Sequence, residues 1–201
     1  MVSKTKKALT TQTVIPLPIP AVKSWKFGEI ESIPNSKNRF VPITVNGTNL
    51  ILPFEQVYSP FGSSEYDTET RKTLVSQLQN EWTSPLECMT ECLIFEVAEK
   101  SGFLFGTSMD RDQISGMYKN IVRHKDNFPS SIAGKMQLTG YSKTKFWDAS
   151  KARIEAPSDF QGINYNVMIH IKGLYLTPDS WGLIANVADC QILSNSASCP
   201  F

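Results

Sequence analysis

Asn164–Leu193, NYNVMIHIKGLYLTPDSWGLIANVADCQIL, decides how this chain folds. Tyr165, Val167, Ile169 and Ile171 alternate with Asn166, Met168, His170 and Lys172, the two-residue period of a strand with one face in a core. Thr177-Pro178-Asp179-Ser180 has turn chemistry, because proline presets φ and the Asp and Ser side chains bond nearby backbone. Trp181–Leu193 reads as the return strand. The chain therefore closes on a C-terminal β-hairpin, and the fold class it points to is β-rich α+β.

Upstream, Arg153-Ile154, Lys145–Trp147 and Lys135–Leu138 read as further strands. The front of the chain is also β: WKFGEI from Trp25, RFVPITV from Arg39, and Thr48–Leu52, with Asn46-Gly47 as a tight turn. Pro42 removes a ladder donor and marks an edge or a bulge. Between these β regions the spacing predicts a helical insertion over about 67–125. Leu74 and Leu78 stand at i, i+4 in Asp67–Asn80, and Pro85 suits the first turn of a helix carrying Leu86, Met89, Leu93 and Val97. A third helix starts near Ser108 or Asp110 and carries Ile114, Tyr118 and Ile121 or Val122. Residues 1–24 form a basic, proline-spaced arm (Lys4, Lys6, Lys7, then VIPLPIPAV), 25–193 one domain, and 194–201 a tail.

The formal net charge of +1 conceals unlike blocks. From Gln113 to Arg153 the bases Lys119, Arg123, Lys125, Lys135, Lys143, Lys145, Lys151 and Arg153 face only Asp126 and Asp148. From Glu65 to Asp112 the balance reverses, with ten acids against Arg71, Lys72, Lys100 and Arg111. Such asymmetry makes a directed field. Tyr141, Phe146, Trp147 and Tyr165 lie in or beside the basic block, and cations that hold phosphates beside rings that stack bases are what a sequence-tolerant single-strand binder needs. In a strand, adjacent residues point to opposite faces, so only one of Phe146 and Trp147 can face a ligand.

No apolar run approaches the roughly 20 residues that span a bilayer, and the start lacks a secretory h-region, so a soluble, intracellular protein is expected. The four cysteines, Cys88, Cys92, Cys190 and Cys199, lack the paired hooks of a zinc site, and neither metal nor cofactor is expected. Two histidines and no nucleophile, metalloprotease or phosphate-loop motif argue against an enzyme.

The phrases HIKGLYLTPDSWGLIANVADCQIL and PSDFQGINYNVMIHIKG resemble the closing strands of single-stranded-DNA-binding proteins of bacteriophages and large DNA viruses. RFVPITVNGTNLILPFEQVYSPFG is similar to the apolar strand pair of the large-virus group, and MYKNIVRHKDNFPSSIAGKMQL to its tyrosine, basic, aromatic-proline and lysine-strand succession. The resemblance covers roughly Trp25 to Leu193 and implies an OB-like, partly open five-stranded barrel that coats single-stranded DNA in replication, recombination or repair. It implies a groove drawing on Arg39, Lys135, Lys145, Phe146, Trp147 and Tyr165, replication proteins as partners, and a host cytoplasm or nucleus as the compartment. The phage and bacterial groups usually end in an acidic tail closed by an aromatic residue, whereas this sequence ends NSASCPF, with the Pro-Phe but no acids.

The candidate nucleic-acid contacts are therefore Arg39, Lys119, Arg123, Lys125, Lys135, Lys143, Lys145, Lys151 and Arg153 for phosphates, and Tyr141, Phe146, Trp147 and Tyr165 for bases. These residues do not distinguish RNA from DNA, because that choice rests on contacts to the 2′-hydroxyl. A rival reading is a β-rich viral assembly protein whose basic face docks on packaged nucleic acid, with the arm crossing to a neighbour to make a homo-oligomer.

Overall fold

The computed structural model describes residues 25–45, 47–62 and 67–195, the last two without their side chains. In chain order its elements are β1 (Trp25–Phe27), β2 (Glu31–Ser32), β3 (Arg39–Val45), β4 (Leu50–Tyr58), β5 (Arg71–Gln77), α1 (Asn80–Glu99), α2 (Ser101–Phe105) and α3 (Arg111–Met117). There follow β6 (Tyr118–Lys119), β7 (Val122–Lys125), β8 (Phe128–Gln137), β9 (Lys145–Trp147), β10 (Arg153–Ile154), β11 (Ile163–Leu176) and β12 (Trp181–Asn195).

The terminal hairpin forms as its alternation requires, with β11 and β12 paired antiparallel from Ile163–Asn195 to Leu176–Trp181. Ile163, Tyr165, Val167, Ile169 and Ile171 are buried while Asn166, Met168, His170 and Lys172 are half-buried on the other face. Around this hairpin five strands close a ring: β11 pairs with β4, β4 with β5, β5 with β8, β8 with β12, and β12 with β11. Two joints are single residue pairs, Tyr58–Gln77 between β4 and β5 and Lys135–Asn186 between β8 and β12. Those two thin seams make the barrel partly open. Taken in chain order as first to fifth, the ring runs first, second, third, fifth, fourth, which is the OB topology. The short strands β1, β2, β3, β6, β7, β9 and β10 add to its edges.

A bulge at Lys172 lets β11 exchange partners, from Leu50 of β4 opposite Ile171 to Pro42 of β3 opposite Gly173. Pro42 therefore sits beside an irregularity, as its missing donor demands. Glycine is required opposite it, since a Cβ on Gly173 would collide with the Val41 carbonyl and the Phe40 ring.

The helices occupy Asn80–Met117 rather than about 67–125, and three helical expectations are corrected. Asp67–Asn80 contains strand β5, whose inward row is Leu74 and Ser76, continued by the buried Leu78 just past its end. Ser76 disguised the alternation; it is buried because its Oγ accepts the Tyr165 hydroxyl at 2.8 Å. The third helix stops at Met117, and Tyr118, Ile121 and Val122 belong to strands or their junction. Asp110 caps α3 in a reciprocal capping box with Gln113. Pro85 lies within α1 rather than in its first turn.

Leu86, Met89, Leu93 and Val97 of α1 join the barrel interior in one core. Among the described residues no helix is long and apolar enough to cross a membrane. Asn46 of the expected front turn, the arm and the end of the tail lie outside the described residues; Gly47 has a φ of 75°.

Candidate nucleic-acid interface

The second and third strands of the ring are β5 and β8, antiparallel with Thr73 opposite Lys135 and Arg71 opposite Gln137. Ile132, Gly134 and Met136 of β8 face inward, so Lys135 and Gln137 face outward beside Arg71 and Thr73. The Lys135 ammonium donates to Thr73 Oγ1, and the Thr73 amide donates to Asp67 Oδ1 at 2.8 Å. Asp67, Thr68, Thr70, Arg71, Lys135 and Gln137 line an open cleft of about 360 Å³. Partial burial, followed by repulsion from Arg71 and Arg123, lowers the pKa of Lys135, and Asp67 opposes the shift. Three cations crowded on one face store electrostatic repulsion that a polyanion would relieve.

Arg71 is the residue the sequence reading missed. It sits in the acid-rich block and in a segment read as helix, and only the pairing of β5 with β8 brings it beside Lys135.

A second cationic group lies on β9 and β10. Lys145, Phe146 and Trp147 pair with Asp189, Cys190 and Gln191 of β12, and Arg153 pairs with Trp147. Phe146 is 1% exposed and packs on Phe160. Lys145 and Trp147 take the outer face, as strand alternation demands. Trp147 is held by its Nε1–H donating to Asp189 Oδ1 at 2.9 Å and by the Arg153 guanidinium 5.2 Å from its ring centroid.

The loop between β8 and β9 joins the two groups. Its base is closed by Thr144, whose amide donates to the Gln137 carbonyl and whose hydroxyl donates to the Val187 carbonyl, at 2.8 and 2.7 Å. Tyr141 stands at its tip at 107% relative exposure, with Lys143 also exposed and Gly140 at a φ of 81°. Lys151 is exposed in a turn built on Asp148, with a φ of 64°.

Four expected contacts fall elsewhere. Phe146 and Tyr165 are core residues; Tyr165 is fully buried, and neither ring is accessible to a base. Arg39 shares the inward parity of Val41 and Ile43 and pairs with Leu176 at the far end of the hairpin. Lys119 is exposed but pairs with Gly182 at that same end. Trp147, at the level of Gln191, is nine residues of β12 from Gly182, or about 30 Å. Arg123 and Lys125 are exposed on β7, Arg123 opposite Ser131 and near enough to Lys135 to act on its charge.

Arg71, Arg123, Lys135, Lys145 and Arg153 take part in neither ion pair found among the described residues, which are Arg111–Glu91 and His124–Glu87. Nor do the described residues hold a group of three or more His, Cys, Asp or Glu arranged for a metal ion.

No family model matches this sequence, and no curated protein does. Solved structures do match it in fold. The single-stranded DNA binding protein encoded by bacteriophage T7 superposes with a TM-score of 0.50 at 9% identity, over 77% of this chain and 91% of that one. The C-terminally truncated single-stranded DNA-binding protein of bacteriophage Enc34 does so with a TM-score of 0.51 at 10% identity, over 86% of this chain and 98% of that one. The chain is thus an OB-like barrel with a helical insertion, similar in fold to single-stranded-DNA-binding proteins of two bacteriophages.

Proposed function

We propose that this protein binds single-stranded DNA without regard to sequence, coating it during replication, recombination or repair. One observation carries the reading: the outer face of the second and third ring strands, where OB barrels take oligonucleotides, presents Arg71, Arg123 and Lys135 with no ion-pair partner among the described residues. Lys145, Lys143, Lys151 and Arg153 extend that field, and Trp147 and Tyr141 supply the stacking surfaces. The fold likeness to two phage proteins that bind such strands supports it. On this reading the protein works by binding rather than catalysis, in the cytoplasm or nucleus of a host cell. It has an arm over 1–24, a domain over 25–193 and a tail over 194–201.

The test is a tryptophan-fluorescence titration with oligo-dT and with a duplex of equal length, at low and moderate salt. Quenching by dT that weakens with salt, and a weaker response to duplex, is the expected result. Equal binding to both, or to neither, would overturn the proposal in favour of a structural protein.

A further inference from the structure

Phe128 begins β8 with 60% of its surface exposed, and the Lys125 ammonium lies 5.0 Å from its ring centroid. The two residues pair across a two-residue turn in which Asn127 takes the left-handed φ of 65°. The neighbouring strand β5 ends opposite Ser131, and Leu78 makes a last bond to the Ser130 carbonyl at 2.7 Å. The hairpin tip thus projects past the barrel wall with β7 as its paired strand. A bond of 2.9 Å between His124 Nδ1 and Ser130 Oγ ties its two arms together. An exposed ring on a braced hairpin, with one face under a cation, is a stacking platform with a phosphate contact beside it.

We propose that the tip of the β7–β8 hairpin is a second, separate contact for the nucleic-acid strand, with Phe128 stacking a base and Lys125 holding the adjoining phosphate. The proposal rests on the single-strand reading above and adds a length dependence to it. Phe128 lies seven residues along β8 from Lys135, about 23 Å. A strand of about 3 nucleotides spans about 10 Å at the stacked rise of about 3.4 Å and stays short of that separation even when drawn out to about twice the rise, so it engages only one contact, whereas one of about 16 nucleotides reaches both.

The experiment compares the native protein with Phe128→Ala and Phe128→Trp in titrations with oligo-dT of about 3 and about 16 nucleotides. Phe128→Ala is expected to weaken the longer oligomer about 5- to 150-fold, the equivalent of losing one stacked base, and to leave the shorter one and the melting temperature unchanged. Phe128→Trp is expected to retain affinity and to add a fluorescence component that the longer oligomer quenches. Unchanged affinity of Phe128→Ala for the longer oligomer, or an unquenched added component, overturns the hairpin contact. Native protein that binds neither length overturns the single-strand reading itself.

Discussion

Tyr165 on β11 donates its hydroxyl hydrogen to Ser76 Oγ on β5 at 2.8 Å, and both side chains are buried. The two strands are not neighbours; β4 lies between them in the ring, and β4 meets β5 through one residue pair. The bond therefore braces the barrel across its thin seam. Tyr165→Phe leaves the Ser76 hydroxyl buried without this partner and is expected to cost about 1–3 kcal/mol, read as a lower melting temperature with oligo-dT affinity unchanged.

Phe146 and Trp147 are adjacent in sequence and opposite in role. Phe146→Ala removes a buried ring and is expected to destabilise by about 3–5 kcal/mol in chemical denaturation, with little change in affinity per folded molecule. Trp147→Ala should reverse the pattern, losing about 1–3 kcal/mol of binding to oligo-dT with a smaller effect on stability.

Arg71 and Lys135 face the same cleft from paired strands. Each phosphate contact to a single strand contributes about 0.7 to the slope of log affinity against log salt. The double variant Arg71→Ala/Lys135→Ala is expected to flatten that slope by about 1.4, measured by titration at several salt concentrations. An unchanged slope would place the strand on another face.

The lowered pKa of Lys135 has a pH signature. Below its folded pKa the ammonium is charged and available to a phosphate; as pH rises through that value, still under the ordinary 10.5, the charge is lost. Affinity for oligo-dT should accordingly decline in the alkaline range. Lys135→Arg, whose guanidinium stays charged, should remove that decline. For stability the sign is opposite, because a depressed lysine binds fewer protons folded than unfolded, so its destabilising contribution fades as pH rises through the same window.

Local pattern was enough for much of this protein. The alternation of β11, the strand positions of Lys145–Trp147 and Arg153-Ile154, and the opposition of Phe146 to Trp147 follow from a two-residue period, a property of adjacent residues, and the turn at Thr177–Ser180 from its turn chemistry. Tertiary structure decided the rest. Ser76 made β5 look unlike a strand because its partner Tyr165 is 89 positions away, and Arg71 joined the basic face because Thr73 and Lys135, 62 positions apart, lie opposite one another. It likewise took Tyr165 out of the list of base contacts and moved Arg39 and Lys119 to the far end of the hairpin. Side-chain periodicity is written along the chain, whereas the cross-strand partners that bury a hydroxyl or gather cations on one face are chosen only when the barrel closes.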